Sequence, residues 1–184
     1  MEAPSQMLEN WAWDKKVLDS FAADYRDPSK KIPAEILAKL KEAKLATVGT
    51  FYKRQLSFAL LDLALHSQVK NDGQQDAVKI SNDILSKVFL PVPEDTAFVA
   101  YFGHLMSYDA GYYGYAWADV IAADMATVFE KSHRGFFDAK AGRRLRDEIY
   151  APGDSRDVKV STEKFLGRPQ SMGPFLRTIG IGKK

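Results

Sequence analysis

Apolar residues recur along this chain at intervals of three and four positions, which is the spacing that places side chains on one face of an α-helix. The clearest run follows Pro33 and contains Ile36, Leu37, Leu40, Ala43 and Leu45. No stretch alternates apolar and polar residues over enough positions to predict a β-strand. The pattern therefore predicts helices nearly throughout the chain.

Turn-forming residues divide this pattern into segments. The predicted helices span 4–13, 15–25, 33–48, 50–68, 76–89, 112–131 and 139–150, with short helical turns over 161–184. Gly49 is interpreted as the boundary between two of these helices, and Asn71-Asp72-Gly73 as a turn. The Ala151-Pro152-Gly153 sequence is expected to end the last long helix, because proline lacks the N–H that a continuing helix needs.

This arrangement predicts an all-α fold, a multi-helix bundle in which helix pairs joined by short turns pack around Leu, Ile, Phe and Ala side chains. The chain has 184 residues, of which 46% are hydrophobic, so it can bury a core. We expect a single all-helical domain over residues 1–184.

The amino-acid composition limits the classes of binding partner and of site that this chain could have. The 26 basic and 24 acidic residues nearly balance, which gives no electrostatic reason for nucleic acid or an anionic membrane as a partner. The absence of cysteine excludes disulfide scaffolds and cysteine nucleophiles. The N-terminus resembles no signal peptide, and Asp62 and His66 interrupt the strongest apolar run, so we expect a cytoplasmic protein.

Histidine is scarce, with only His66, His104 and His133 in the chain. No two of them stand four residues apart, so the sequence contains no His-Glu-x-x-His (HExxH) zinc helix. We interpret His66, at the end of a predicted apolar helix, as a partner of that helix's dipole.

The most unusual segment is FGHLMSYDAGYYGYAW, from Phe102 to Trp117. Tyr112 and Tyr115 are three residues apart, so a helix would place them on one face. Phenols and an imidazole that converge on a cleft can donate hydrogen bonds to a developing oxyanion. The alternative is that these aromatic rings fill the core and the glycines let helices approach closely.

Two segments carry a resemblance to a known family. The first is the start of the chain, MEAPSQMLENWAWD, with a Glu-x-Pro-Ser-Gln helix start at Glu2, and the second is FGHLMSYDAGYYGYAWADV. In this order they resemble the thimet oligopeptidase and oligopeptidase A family of zinc metallopeptidases. The closing region from Tyr150 is similar to the end of that family. The resemblance covers essentially the whole chain and implies the C-terminal part of a zincin-type catalytic domain.

The resemblance implies roles for five residues. In the family, zinc is held by the two histidines of an HExxH helix and by a downstream glutamate, which Glu2 matches. Tyr108 and Tyr115 would be catalytic residues that donate hydrogen bonds to the oxyanion or steady the substrate backbone. His104 and Tyr112 would bind and orient the peptide. A phenol suits these tasks because it stays protonated at neutral pH and donates without competing for zinc.

The chain departs from the family pattern in two ways. The HExxH helix, which also supplies the general base, is missing from the sequence. The loop from His104 to Tyr108 is one residue shorter than in thimet oligopeptidase, with Leu105-Met106-Ser107 in place of a glycine pair. Because one carboxylate holds zinc too weakly, we expect a metalloendopeptidase relative that binds zinc only in a complete enzyme and is inactive alone.

Two further hypotheses stay open beside the inactive peptidase portion. One is a split enzyme, completed by a second chain that carries HExxH. The other is a non-catalytic helical module that binds short peptides or a partner through Tyr108, Tyr112 and Tyr115 without metal. Uncovered apolar helix faces favour association, so we also expect a homo-oligomer.

Overall fold

The computed structural model describes residues 2–67 and 75–182. Within these ranges the chain forms eight α-helices and no β-strand, which confirms the predicted all-α fold. The helices are α1 (Ala3–Leu8), α2 (Lys15–Phe21), α3 (Ala34–Ser67), α4 (Ala77–Val88), α5 (Tyr113–Glu130), α6 (Ala139–Leu145), α7 (Val158–Leu166) and α8 (Gly173–Thr178). None of the helices in the described ranges is long and apolar enough to cross a bilayer.

Aspartate side chains begin four of these helices. Asp14, Asp76, Asp138 and Asp157 precede α2, α4, α6 and α7, and each carboxylate accepts a hydrogen bond from a backbone N–H two or three residues later. Such a cap satisfies donors that the first turn leaves unpaired and contributes about 1 kcal/mol. At Asp138, the Ser132 hydroxyl and the capped N–H groups lower the pKa of the carboxyl below its ordinary value.

Helix α3 differs from its prediction. We expected Gly49 to separate two helices, but Ala34–Ser67 is one continuous helix of 34 residues. The prediction was wrong because a glycine inside a helix costs only about 1 kcal/mol relative to alanine, which neighbouring turns readily offset. The turn predicted at residues 71–73 lies outside the described residues.

The chain divides into two compact units. The terminal unit comprises Met1–Ala46 and Ala118–Lys184, and the central unit comprises Thr47–Trp117. A single domain over residues 1–184 stays a prediction.

The core of the terminal unit forms around the buried face of α5. Met125 and Phe129 are almost completely buried there, together with Met7 from α1 and Phe165 from α7. The ring of Trp11 packs edge-on against Phe129, with ring centres 4.7 Å apart, and its Nε1 donates to the carbonyl of Phe136 at 3.0 Å. The N-terminal helix that carries Glu2 is therefore held by packing and by a long-range hydrogen bond.

The core of the central unit is smaller and aromatic. Phe58 and Leu61 of α3 and Leu85 of α4 are buried together. The rings of Phe98 and Phe102 lie 4.8 and 5.3 Å from that of Phe58. This cluster supports the segment that the sequence singled out.

Candidate functional site

The segment after Phe102 brings four predicted site residues together in the central unit. It begins with a short 3₁₀-helix, Gly103–Met106, and reaches the start of α5 at Tyr113. The His104 ring centre lies 5.5 Å from that of Tyr108, 4.8 Å from that of Tyr112 and 5.9 Å from that of Tyr115. We call these four residues the His–Tyr cluster.

The cluster joins the aromatic core on one side and reaches solvent on the other. Tyr112 is half-buried and packs edge-on against Phe58, with ring centres 5.6 Å apart. By contrast, Tyr108 is 66% exposed and Tyr115 is 36% exposed. Core filling therefore accounts for the position of Tyr112 but leaves the exposed phenols unexplained.

The Tyr112 phenol has a fixed partner on α3. Its hydroxyl donates to Oε1 of Gln55 at 2.9 Å, across 57 residues of sequence. Burial raises the pKa of Tyr112 above its ordinary value, and Tyr115 nearby acts in the same direction while Arg54 opposes them. The phenol therefore stays protonated throughout the neutral range.

The imidazole of His104 carries an unsatisfied nitrogen. Its Nε2 atom is buried and has no hydrogen-bond partner among the described residues. The rings of Phe102 and Tyr108 stack on it, with centres 5.8 and 5.5 Å away. Buried polar atoms are nearly always paired, so this nitrogen is an exception within the cluster.

Asp62 of α3 holds the backbone that carries the cluster, and the sequence reasoning assigned it no role there. The Asp62 carboxylate is completely buried and accepts hydrogen bonds from the backbone N–H groups of Ala110 and Tyr112, both at 2.8 Å. His66 Nδ1 lies 2.9 Å from the same carboxylate. His66 does lie in the last turn of α3, near the carbonyl end of the helix dipole, but it also pairs with this buried acid.

One signal in the sequence pointed to this residue. Asp62 interrupts the apolar run FALLDLALHS, where a charge has no reason to lie unless it is paired. The sequence does not indicate the partner, because Ala110 lies 48 residues further along the chain.

Glu2, the predicted zinc ligand, belongs to the terminal unit. It stands at the N-cap of α1, with Pro4 in the first turn, as the helix start in the sequence predicted. The Ser5 hydroxyl donates to its carboxylate at 3.1 Å and to its backbone carbonyl at 2.8 Å. Among the residues that the structure describes, no three His, Asp or Glu side chains group closely enough to hold a metal ion. The donor set of the described residues therefore does not fit zinc by itself.

Comparisons with known proteins agree on one family. The family model described as peptidase family M3 matches residues 1–181. The chain is 35% identical to the thimet-like oligopeptidase of Dictyostelium discoideum, 37% to saccharolysin of Saccharomyces cerevisiae and 33% to oligopeptidase A of Escherichia coli. Each match covers 98% of this chain but 27%, 25% and 27% of the respective relative. The chain thus spans about a quarter of the length of these curated relatives.

These matches include both the segment around Glu2 and the segment that forms the His–Tyr cluster, so the resemblance read from those two segments is confirmed. The fold and the similarity lead to one assignment. This chain belongs to peptidase family M3, a family of zinc metallopeptidases.

Proposed function

We propose that this chain binds short peptides as the substrate-binding portion of a zinc-dependent metallo-oligopeptidase. The observation that carries the proposal is the His–Tyr cluster, in which one imidazole and three phenols share a single loop and helix start. A peptide backbone offers a carbonyl acceptor and an N–H donor at each residue. Phenols donate and accept, and a neutral imidazole does the same through its two nitrogens, so the cluster is chemically complementary to a backbone.

Within this site we assign positioning of the peptide to His104 and Tyr112. A peptide N–H or carbonyl, according to the tautomer, would satisfy the buried Nε2 of His104, which has no partner among the described residues. Tyr112 already donates to Gln55, so its hydroxyl oxygen is left to accept from a peptide N–H. Both rings pack against each other at 4.8 Å, which restricts their motion before a peptide arrives.

We assign oxyanion stabilisation to Tyr108 and Tyr115 in a complete enzyme. Donors aimed at a developing negative charge stabilise the tetrahedral intermediate of peptide hydrolysis. The exposure of both residues supports this assignment, since a substrate must reach their hydroxyls.

Glu2 is our proposed third zinc ligand. Carboxylate oxygens are ordinary zinc ligands, but a protein site needs at least three side chains. The donor set described above is smaller than that, so no hydrolytic step is assigned to this chain and we propose that it is inactive by itself. The cytoplasmic location stays a prediction, as do the split enzyme and the metal-free binding module.

Calorimetry with an acetylated nonapeptide of glycine and alanine around a central phenylalanine tests the site. We expect binding by the full chain, and affinity roughly tenfold lower in the Tyr112→Phe/Tyr115→Phe variant, the size expected for lost hydrogen bonds. Tyr25→Phe is the matched control, because Tyr25 is 90% exposed and lies in the terminal unit.

The same preparation tests inactivity. With zinc added, a quenched-fluorescent peptide should show no turnover that a chelator abolishes. Unchanged affinity in the double variant would overturn the assignment of the cluster, whereas chelator-sensitive turnover by the pure chain would overturn the proposed inactivity.

A further inference from the structure

Asp62 lies in an environment that is costly for an ionised side chain. Its exposed fraction is zero, and it sits on α3 between Leu61, which is also completely buried, and the partly buried Leu63. Burying an unpaired carboxylate is strongly unfavourable, so such groups persist where partners fully satisfy them. The partners of Asp62 therefore indicate what the residue does.

Three donors converge on this carboxylate. Oδ1 accepts from the Ala110 N–H and Oδ2 from the Tyr112 N–H, each at 2.8 Å. The third donor is Nδ1 of His66, 2.9 Å from Oδ1 and 2.8 Å from the Asp62 carbonyl. Because both of these neighbours are acceptors, Nδ1 is the nitrogen that carries the hydrogen in this arrangement. The two carboxylate oxygens of Asp62 thus connect α3 to the backbone N–H groups of Ala110 and Tyr112 in a single loop.

The loop between these amides adopts a backbone conformation that alanine disfavours. Ala110 has φ of 56°, in the left-handed region, where a residue with a side chain is strained by about 1 kcal/mol or more. Gly111 follows, and a Cβ there would lie 3.1 Å from the Tyr108 carbonyl oxygen. Glycine lacks that Cβ, so the strain of the turn from Tyr108 to Tyr112 lies at Ala110, and the two hydrogen bonds to Asp62 help to hold this conformation.

We propose that Asp62, oriented by His66, is the positioning residue that fixes the loop of the His–Tyr cluster for peptide binding. This inference rests on the proposed function, since it takes the cluster to be the peptide site. In this proposal Asp62 does not contact the peptide. It acts by holding the backbone N–H of Tyr112, and the side-chain ring of Tyr112 packs against His104 and Tyr115. Without the restraint, the loop gains conformations in which the rings no longer converge, and binding must then supply the ordering free energy.

Both carboxylate oxygens are needed because both loop groups are donors. The isosteric Asp62→Asn variant keeps one accepting oxygen but turns an NH₂ group toward an N–H, so one loop hydrogen bond is lost at nearly constant volume. At His66, the His66→Asn variant keeps a donor close to the place of Nδ1, whereas His66→Ala removes it. These substitutions separate the hydrogen bonds from the packing.

A second buried carboxylate provides the matched control. Asp124 of α5 is also completely buried and accepts from the Ser171 backbone N–H at 2.7 Å and from Arg168. These partners all belong to the terminal unit, so Asp124→Asn removes a buried charge without removing a hydrogen bond of the loop.

Amide hydrogen exchange resolved by NMR measures how well the loop is held. Calorimetry with the nonapeptide described above measures the effect on peptide affinity. In Asp62→Asn we expect at least tenfold faster exchange at Ala110 and Tyr112, unchanged exchange at Met125, and roughly tenfold weaker peptide binding. His66→Ala should change both readouts in the same direction by a smaller factor, and His66→Asn should restore them. Asp124→Asn should lower the melting temperature while leaving both readouts unchanged.

The outcomes separate positioning from general stability. Peptide affinity that falls equally in Asp62→Asn and Asp124→Asn would overturn the proposal, as would unchanged exchange at Ala110 and Tyr112. If Asp62→Asn does not fold, the comparison of His66→Ala with His66→Asn decides between loop positioning and general stability. If the wild-type chain binds no peptide, the proposed function fails, and the exchange data alone then show whether Asp62 restrains the loop.

Discussion

Two buried aspartates show how single residues organise this chain. Asp62 joins α3 to the loop of the His–Tyr cluster, and Asp124 joins α5 to the segment after α7. Arg168 donates to Asp124 through Nη1 at 3.0 Å and also through Nη2, and this pairing raises the pKa of the guanidinium above its already high value. The Asp124 charge is thus balanced by an arginine, whereas that of Asp62 faces neutral amides and an imidazole.

Removing Arg168 should leave the Asp124 carboxylate buried without its cation. Breaking a buried ion pair costs about 3–5 kcal/mol, and partial exposure of Arg168 reduces this, so we expect Arg168→Ala to lower the free energy of unfolding by about 2 kcal/mol. Urea denaturation followed by circular dichroism measures it. Arg143→Ala, on the exposed face of α6, is the control and should change stability by less than about 0.5 kcal/mol.

The sequence marks the positions of these two residues but not their partners. Each appears as a charge inside an apolar helical run, which is consistent with burial, although neither was predicted to be buried. Their partners lie 48 and 44 residues further along the chain, a pairing that only the packed helices create. Glu2 and the cluster residues were easier to locate, because they lie in short contiguous segments that the family resemblance covers.

At the scale of elements, the ends of two long helices were predicted well, whereas the helix predicted over 15–25 ends at Phe21 and the α-helix predicted over 139–150 ends at Leu145. The helix predicted over 76–89 is Ala77–Val88, after its Asp76 cap, and the one over 112–131 is Tyr113–Glu130. Gly49 misled because glycine marks the end of a helix chiefly where the backbone turns left-handed. Gly167 does so, with φ of 71° at the end of α7. Sequence alone does not distinguish the two situations.

Alanine substitutions at these two glycines should change the free energy of unfolding in opposite directions. Gly49 lies inside α3 with open space where an alanine Cβ would lie, so Gly49→Ala should raise the free energy of unfolding by about 0.5–1 kcal/mol. Gly167 also has open space, so only its positive φ matters, and Gly167→Ala should lower stability by about 1 kcal/mol. Thermal and urea denaturation of both variants provide the comparison; equal signs would contradict it.

At the scale of the whole molecule, the composition does not indicate which apolar side chains stay exposed. Several large side chains of α3 are between 42% and 51% exposed, namely Ile36, Leu40, Leu45, Phe51, Leu56 and Leu60. Helical periodicity predicted that such residues share faces, but it does not tell which faces find a partner within the chain. Exposed apolar area of this kind marks interaction surfaces in proteins that are otherwise well packed.

We therefore keep the prediction of a homo-oligomer and assign it to α3. Phe51→Glu places a charge at the most exposed of these side chains and should shift the chain toward monomer, because burying a carboxylate in an apolar contact is costly. Thr50→Glu introduces the same charge at the adjacent exposed position and should leave association nearly unchanged. Light scattering across a concentration series measures both variants. A wild-type chain that stays monomeric at high concentration would refute the prediction, and an equal effect of the two variants would move the contact away from Phe51.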